Sequence, residues 1–300
     1  MSDYCAFLAN CLVGGDEVSY KPDGRWVRDT IRWKLNGYRI CLIQREEVAK
    51  GAIAEFRGKW VNTSRLIVEN VPEEKVKQVE VIIKDVAALL SFAGGSPVRV
   101  FGYEYPMDSG KQAFVSTFGN SGFFRPTIDI FDGSAVRHFV AACWKGFRRQ
   151  KNVRKLPEVF EYLAIAENST IPMELKLLTL FIVLESLKDT YAKQRKIPFV
   201  KGWYRKTSTP PKTNPAREQV YRFEELLASM LNEQGIRRGL KRIISLRNDL
   251  IHSGLARKPF RSLWKTYCNA HDIVRLYLLH ILGYSGSYFV FSERDGLKRM

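Results

Sequence analysis

The residues with the clearest chemical potential lie in one stretch, Leu246-Arg247-Asn248-Asp249-Leu250-Ile251-His252-Ser253-Gly254. At about 100° per residue, Asn248 and His252 (i, i+4) share one helix face, while Ile243, Leu246 and Leu250 form an apolar stripe on roughly the opposite side. The polar pair is thereby held off the core. Gly254 is a natural stop signal, so His252 falls in the last turn, where the negative end of the helix dipole favours an imidazolium and suits proton transfer. Arg247 falls on the edge of the apolar stripe, where an unpaired guanidinium is costly. Its expected partner is Glu185, the only acid in the run 175–187, on a helix apolar enough all round to be central in a bundle. Two readings stand side by side: a proton-transfer set, or a structural Arg247–Glu185 ion pair with a histidine capping a helix end.

A second feature is the stretch 193–217, with eight basic residues, no acid, and Pro198, Pro210, Pro211 and Pro215. It cannot be a regular helix. Lys196, Lys201, Arg205 and Lys206 beside the aromatics Phe199, Trp203 and Tyr204 match what single-stranded nucleic acid offers, phosphates to neutralise and bases to stack on. The alternative is a solvated loop. Charge points the same way: 48 basic against 31 acidic residues give +17, with +4 in residues 1–150 and +13 in 151–300. A polyanion site belongs in the second half.

Other constellations carry less. His138 lacks a partner in sequence, and His271 and His280 lie nine residues apart, where a shared face is possible; all three read as structural. Cys5, Cys11, Cys41, Cys143 and Cys268 are odd in number and scattered, which predicts buried free thiols and neither a disulfide framework nor a metal site. The turns at Gly94-Gly95 and Gly119-Asn120-Ser121-Gly122 match no phosphate-loop pattern, and no G-x-S-x-G or H-E-x-x-H motif occurs. No cofactor is expected. No run approaches the roughly 18 apolar residues of a membrane span. The opening residues lack the basic lead and cleavage site of a signal peptide, so a cytoplasmic protein without a membrane partner is expected.

The elements that must position these residues fall into two halves. Residues 4–12, 26–33, 38–44, 53–56 and 60–68 read as strands, with Asn36-Gly37 as a two-residue hairpin signal. A helix starts near Pro72-Glu73-Glu74, buries Val76, Val79, Ile83, Val86 and Leu90, and stops at Gly94. Strands at 98–105 and 113–118 follow through a turn at Pro106 and Gly110. Residues 1–150 therefore read as an α+β or β-sandwich-like domain. From Gly133 the pattern is helical: 135–147, a basic linker at 148–155, then 157–167, 172–194, 216–233, 236–252 and 260–282. The expected fold is an α+β domain followed by an all-α bundle over 156–285, with 286–300 as an extra strand at 288–291 and a frayed tail.

The segment R-N-D-L-I-H, Arg247 to His252, resembles the R-x4-H motif of HEPN domains in its form with Asn directly after the Arg. The helix at 177–188 with L-E-S-L resembles the second helix of that family. The closing His280-Ile281-Leu282-Gly283-Tyr284-Ser285-Gly286 is similar to the last helix of the branch found with ApeA-type abortive-infection proteins. The resemblance covers about 156–284, a little under half the chain, and no family is recognised in residues 1–150. It implies a four- or five-helix bundle, usually dimeric, whose active members are metal-independent endoribonucleases. His252 would then move the proton of an RNA 2′-OH, Arg247 would stabilise charge on the phosphate, Asn248 would orient the phosphate or the imidazole, and Glu185 would support Arg247. One histidine cannot readily serve as base and acid at once, so a homodimer supplying two copies is expected. The resemblance further implies a toxin-like effector of antiviral defence, with a defence-complex or antitoxin partner and with residues 1–150 sensing, docking or positioning RNA. The second hypothesis is a HEPN fold kept for dimerisation and nucleic-acid binding without catalysis.

Overall fold

The computed structural model describes residues 1–20, 22–49, 56, 62–114, 125–168, 170–206, 220–237, 239–256, 258–293 and 296–300. The chain forms two compact units, Met1–Arg148 with Glu167–Ser169 and Leu282–Met300, and Arg149–Ala166 with Thr170–Ile281. An antiparallel sheet dominates the first and helices dominate the second, the expected α+β domain followed by a helical part.

In the first unit seven strands form one sheet: β1 (Ser2–Ala9), β2 (Glu17–Tyr20), β3 (Trp26–Leu35), β4 (Tyr38–Gln44), β5 (Asn62–Val71), β6 (Arg99–Glu104) and β7 (Gln112–Phe114), in the order β2-β3-β4-β5-β1-β6-β7. The β3–β4 hairpin turns through Asn36 (φ 50°) and Gly37 (φ 85°), the left-handed pair that a two-residue turn requires, with Leu35 opposite Tyr38. A short helix, α1 (Glu46–Ala49), follows β4. The next helix, α2 (Val76–Gly94), connects β5 to β6 and packs on both and on β1, which lies between them. Its stripe Val79, Ile83, Val86 and Leu90 is buried against the sheet, and Val76 at its start is half-buried. Glu73–Lys75 form a 3-10 turn after Pro72, and the helix closes on Gly95 (φ 62°). The expected strand at 53–56 lies, apart from Phe56, outside the described residues, as do 115–118 and the Gly119–Gly122 turn.

The next helix, α3 (Gly133–Gln150), runs into the expected linker at 148–155. The remainder of that stretch forms turns, with Arg154 buried in the second unit, donating to the Leu187 carbonyl at 3.2 Å and stacked on Tyr191 and Tyr277. Its aromatic environment makes this a packed corner rather than an open connector. The closing residues also differ from a frayed tail: β10 (Ser287–Phe289) pairs with β11 (Leu297–Arg299), and the Phe289 N–H donates to the Thr127 carbonyl at 2.8 Å within the first unit.

The second unit holds α4 (Leu156–Ala166), α5 (Met173–Gln194), α6 (Phe223–Asn232), α7 (Lys241–Ser253) and most of α8 (Phe260–Leu282). α5 packs on α4, α6 and α7 through a buried side that includes Leu177, Leu180, Val183, Leu184 and Leu187. It is central but not enclosed, because Leu175 and Ile182 are about half exposed on one open side. α6 starts at Phe223 rather than 216, since Val220 bridges Arg205 and the Tyr221 N–H donates to the Tyr204 carbonyl at 2.9 Å; residues 216–219 lie outside the described residues. Between α5 and α6, β8 (Phe199–Val200) and β9 (Trp203–Tyr204) pair around Lys201 (φ 50°) and Gly202 (φ 83°), while 207–217 are not described.

The five cysteines are free and buried, and burial pushes the Cys5 and Cys11 thiols up to about 11. Among the described residues no helix is long and apolar enough to cross a membrane. The first unit depends on a close backbone approach at Gly133, where an added Cβ would overlap the Gly15 carbonyl carbon. Gly133→Ala should therefore cost about 1–3 kcal/mol, read as a lowered urea midpoint in circular dichroism, whereas a midpoint equal to that of the unaltered chain would deny the contact.

Candidate active site

The motif residues lie on α7, which ends where the sequence indicates: Gly254 (φ 71°) caps it and donates its N–H to the Leu250 carbonyl at 2.9 Å. Ile243, Leu246 and Leu250 are buried, each at 1% exposure or less, so the core side of the helix is fixed. Asn248 and His252 are exposed on the opposite side, and His252 has no hydrogen-bond partner among the described residues.

Arg247 points elsewhere. Its Nη2 pairs with Glu185 of α5, its Nη1 donates to Asn248 Oδ1 at 3.2 Å, and its guanidinium lies 4.4 Å from the centre of the Phe223 ring. The Glu185 carboxylate also accepts Lys188 Nζ at 2.7 Å, and Lys188 in turn sits 5.5 Å from Phe223 and 5.6 Å from Tyr204. With side-chain exposures of 20% and 34%, the Arg247–Glu185 pair is partly shielded rather than sealed. Five residues apart on a helix, Arg247 and His252 are separated by about 140°, so in one chain they do not face the same point.

The basic stretch divides by side. Lys196, Lys201 and Trp203 are exposed. Tyr204 and Arg205 are buried, at 6% and 3%, which removes both from a surface that could stack on bases or meet phosphates. The alternation of the strand turns Tyr204 inward, where its hydroxyl donates to the Asp189 carboxylate. Arg205 is covered through its bridge to Val220, and its Nη2 donates to the Val200 carbonyl at 3.4 Å. Lys206 is exposed but paired with Glu225 at 2.9 Å. The other histidines stay apart from this site. His271 is fully buried against Tyr267, with ring centres 4.6 Å apart, while His280 faces out, about 180° around the helix axis, so the two share no face. His138 lies in the first unit beside Tyr284.

Sequence reasoning missed Phe223, Lys188 and Asp189, whose roles arise from packing between segments. The one available signal was Lys188 three residues after Glu185, the spacing of a helical ion pair. Among the described residues no group of three or more His, Cys, Asp or Glu side chains is placed to hold a metal ion. No family model, no curated protein and no solved structure matches the chain.

Asp189, Glu225 and Glu233 of the second unit are tuned toward ionisation. Burial works against the Asp189 carboxylate, but hydrogen bonds from Lys193 and Tyr204 outweigh it and hold its pKa below the usual value. Glu225 is lowered by the Arg222 backbone N–H and by Lys206; Glu233 is lowered by Tyr191 and Arg195 against its own burial. Because these pKa values are depressed in the folded state, their stabilisation is complete above the ordinary values of 3.8 and 4.5 and is lost as pH falls through the lowered ones. The urea midpoint should accordingly drop between pH 5 and pH 3, and Tyr204→Phe should reduce that drop by removing one donor to Asp189. An identical pH profile in the variant would show that the Tyr204 hydroxyl does not stabilise the carboxylate.

Proposed function

We propose that the chain is a metal-independent endoribonuclease of HEPN type, competent as a homodimer. The observation that carries this reading is His252, exposed at the end of α7 with Asn248 one turn earlier on the same face, Asn248 in turn accepting from an Arg247 that Glu185 anchors. The imidazole takes the proton of a ribose 2′-OH as its oxygen attacks the adjacent phosphorus. The P–O5′ bond breaks, the 5′-oxygen receives a proton from a second imidazole, and the products are a 2′,3′-cyclic phosphate and a 5′-hydroxyl. Arg247 meets the charge growing on the phosphate oxygens, and Asn248 orients the phosphate or the imidazole. The angular separation of Arg247 and His252 within one chain supports a second copy as the source of the missing group. Exposed Lys196, Lys201 and Trp203 on and beside the β8–β9 hairpin support RNA as the partner. The resemblance to ApeA-type proteins supports a toxin-like role in antiviral defence, checked by an antitoxin or defence-complex partner in the cytoplasm.

A non-catalytic dimerisation and nucleic-acid-binding module is the second reading, favoured by the engagement of Arg247 with Glu185, Asn248 and Phe223, which a structural role explains without any reaction. The two separate on labelled RNA in EDTA. The unaltered chain should cut it and leave cyclic phosphate ends, and His252→Ala should lower the rate at least about 100-fold while keeping the unfolding midpoint, because the side chain is exposed. RNA that is bound yet intact under every condition supports the second reading.

The dimer has its own test. Ile182 on α5 and Ile251 on α7 are about half exposed near Glu185 and His252, an apolar surface that a second copy would cover. Ile182→Glu with Ile251→Glu should give a monomer by sedimentation and abolish cleavage together; a double variant that remains dimeric would move the interface elsewhere.

A further inference from the structure

Away from the Arg247 network, the starts of α7 and α8 border an open cavity of about 690 Å³. Lys241, Arg242 and Ser245 of α7 face Lys258, Arg261 and Lys265 across it, and no carboxylate is among its described lining residues. Lys258 is held toward α7 by Asp249 at 3.1 Å. Lys241, Arg242, Arg261 and Lys265 have no ion-pair partner among the described residues. The N-terminus of α7 lacks a capping side chain, so its backbone adds partial positive charge to the same space. Five cations around one cavity repel one another until an anion enters.

The cavity also has a direction. Lys241, Ser245, Asn248 and His252 stand at i, i+4, i+7 and i+11, a single stripe along α7 that spans about 16 Å. The wall that α7 gives to the cavity is therefore continuous with the face that carries the motif histidine. We infer that this cavity binds the phosphates of an RNA strand whose neighbouring residues lie along α7 toward His252. The placement of the cut at His252 rests on the ribonuclease reading above; the phosphate binding does not. The chemistry required, oxyanions spaced along a flexible chain, is also offered by the triphosphate of a free nucleotide, and the stripe favours the strand because it leads out of the cavity.

The test uses the full chain and a fluorescent 12-nucleotide RNA carrying 2′-O-methyl groups, which cannot be cut by 2′-OH attack. Affinity is read by anisotropy across a salt series. Lys241→Glu with Arg261→Glu should weaken binding at least tenfold at low salt and flatten the slope of log K against log[salt] by about 1.4, two single-strand phosphates' worth. Lys77→Glu with Lys84→Glu on α2 alters net charge equally and should change neither. Equal effects of the two pairs, or no effect of the first, overturn the inference. Stoichiometric ATP binding that the first pair abolishes, with RNA affinity unchanged, overturns it in favour of a free nucleotide. A chain that binds through the cavity yet leaves ordinary RNA intact supports this inference while removing the nuclease reading.

Discussion

Glu185 accepts the Arg247 guanidinium on one carboxylate oxygen and the Lys188 ammonium on the other, and the orientation of α7 depends on that shared acid. Two cations on one carboxylate leave a surplus charge, which the faces of Phe223 and Tyr204 offset, each cation–π contact contributing about 0.5–2 kcal/mol. The groups come from α5, the β8–β9 hairpin, α6 and α7, so rotating α7 about its axis would break the contacts of Arg247 to both α5 and α6. That constraint keeps Asn248 and His252 turned outward. Partial exposure of the pair keeps its worth nearer to a surface ion pair than to a sealed one, and the cluster acts more by fixing geometry than by supplying stability.

Much of the first unit was legible because its signals are local. The apolar run of residues 38–44 and the Asn36-Gly37 turn define β4 and its register, and the apolar stripe of α2 defines which side meets the sheet. What failed to show has a physical explanation in each case. β2 is a four-residue edge strand, EVSY, with no buried residue, so no burial pattern marks it. The stretch 148–155 is polar enough to read as a linker, yet Arg154 is buried by stacking on two tyrosines far along the chain, which composition cannot reveal.

The candidate site was half legible for the same reason. The angle of Arg247 on its helix, set against the only acid in the apolar run 175–187 of α5, was enough to pair it with Glu185, since an apolar surround leaves a guanidinium few alternatives. Phe223 could not be found that way, because its ring reaches Arg247 only through the start of another helix. Tyr204 and Arg205 show the opposite error. Composition put them with Trp203 on a nucleic-acid surface, but Tyr204, opposite in facing to Trp203, turns inward to Asp189, and Arg205, just past the strand, is covered at its bridge to Val220.

The division of charge along α7 follows from these placements. On the side of Arg247 every cation of the cluster has a carboxylate or an aromatic face, and the nearby acids Asp189 and Glu225 are already engaged by lysines. Few acids are then left for the other side, where four of the cavity's five cations stand unpaired among the described residues. The +13 of the second half is therefore not spread evenly over a solvated surface. Among the described residues it is compensated around Arg247, where the fold holds α7 still, and less so at the start of α7, where the nearby Asp249 is already tied to Lys258.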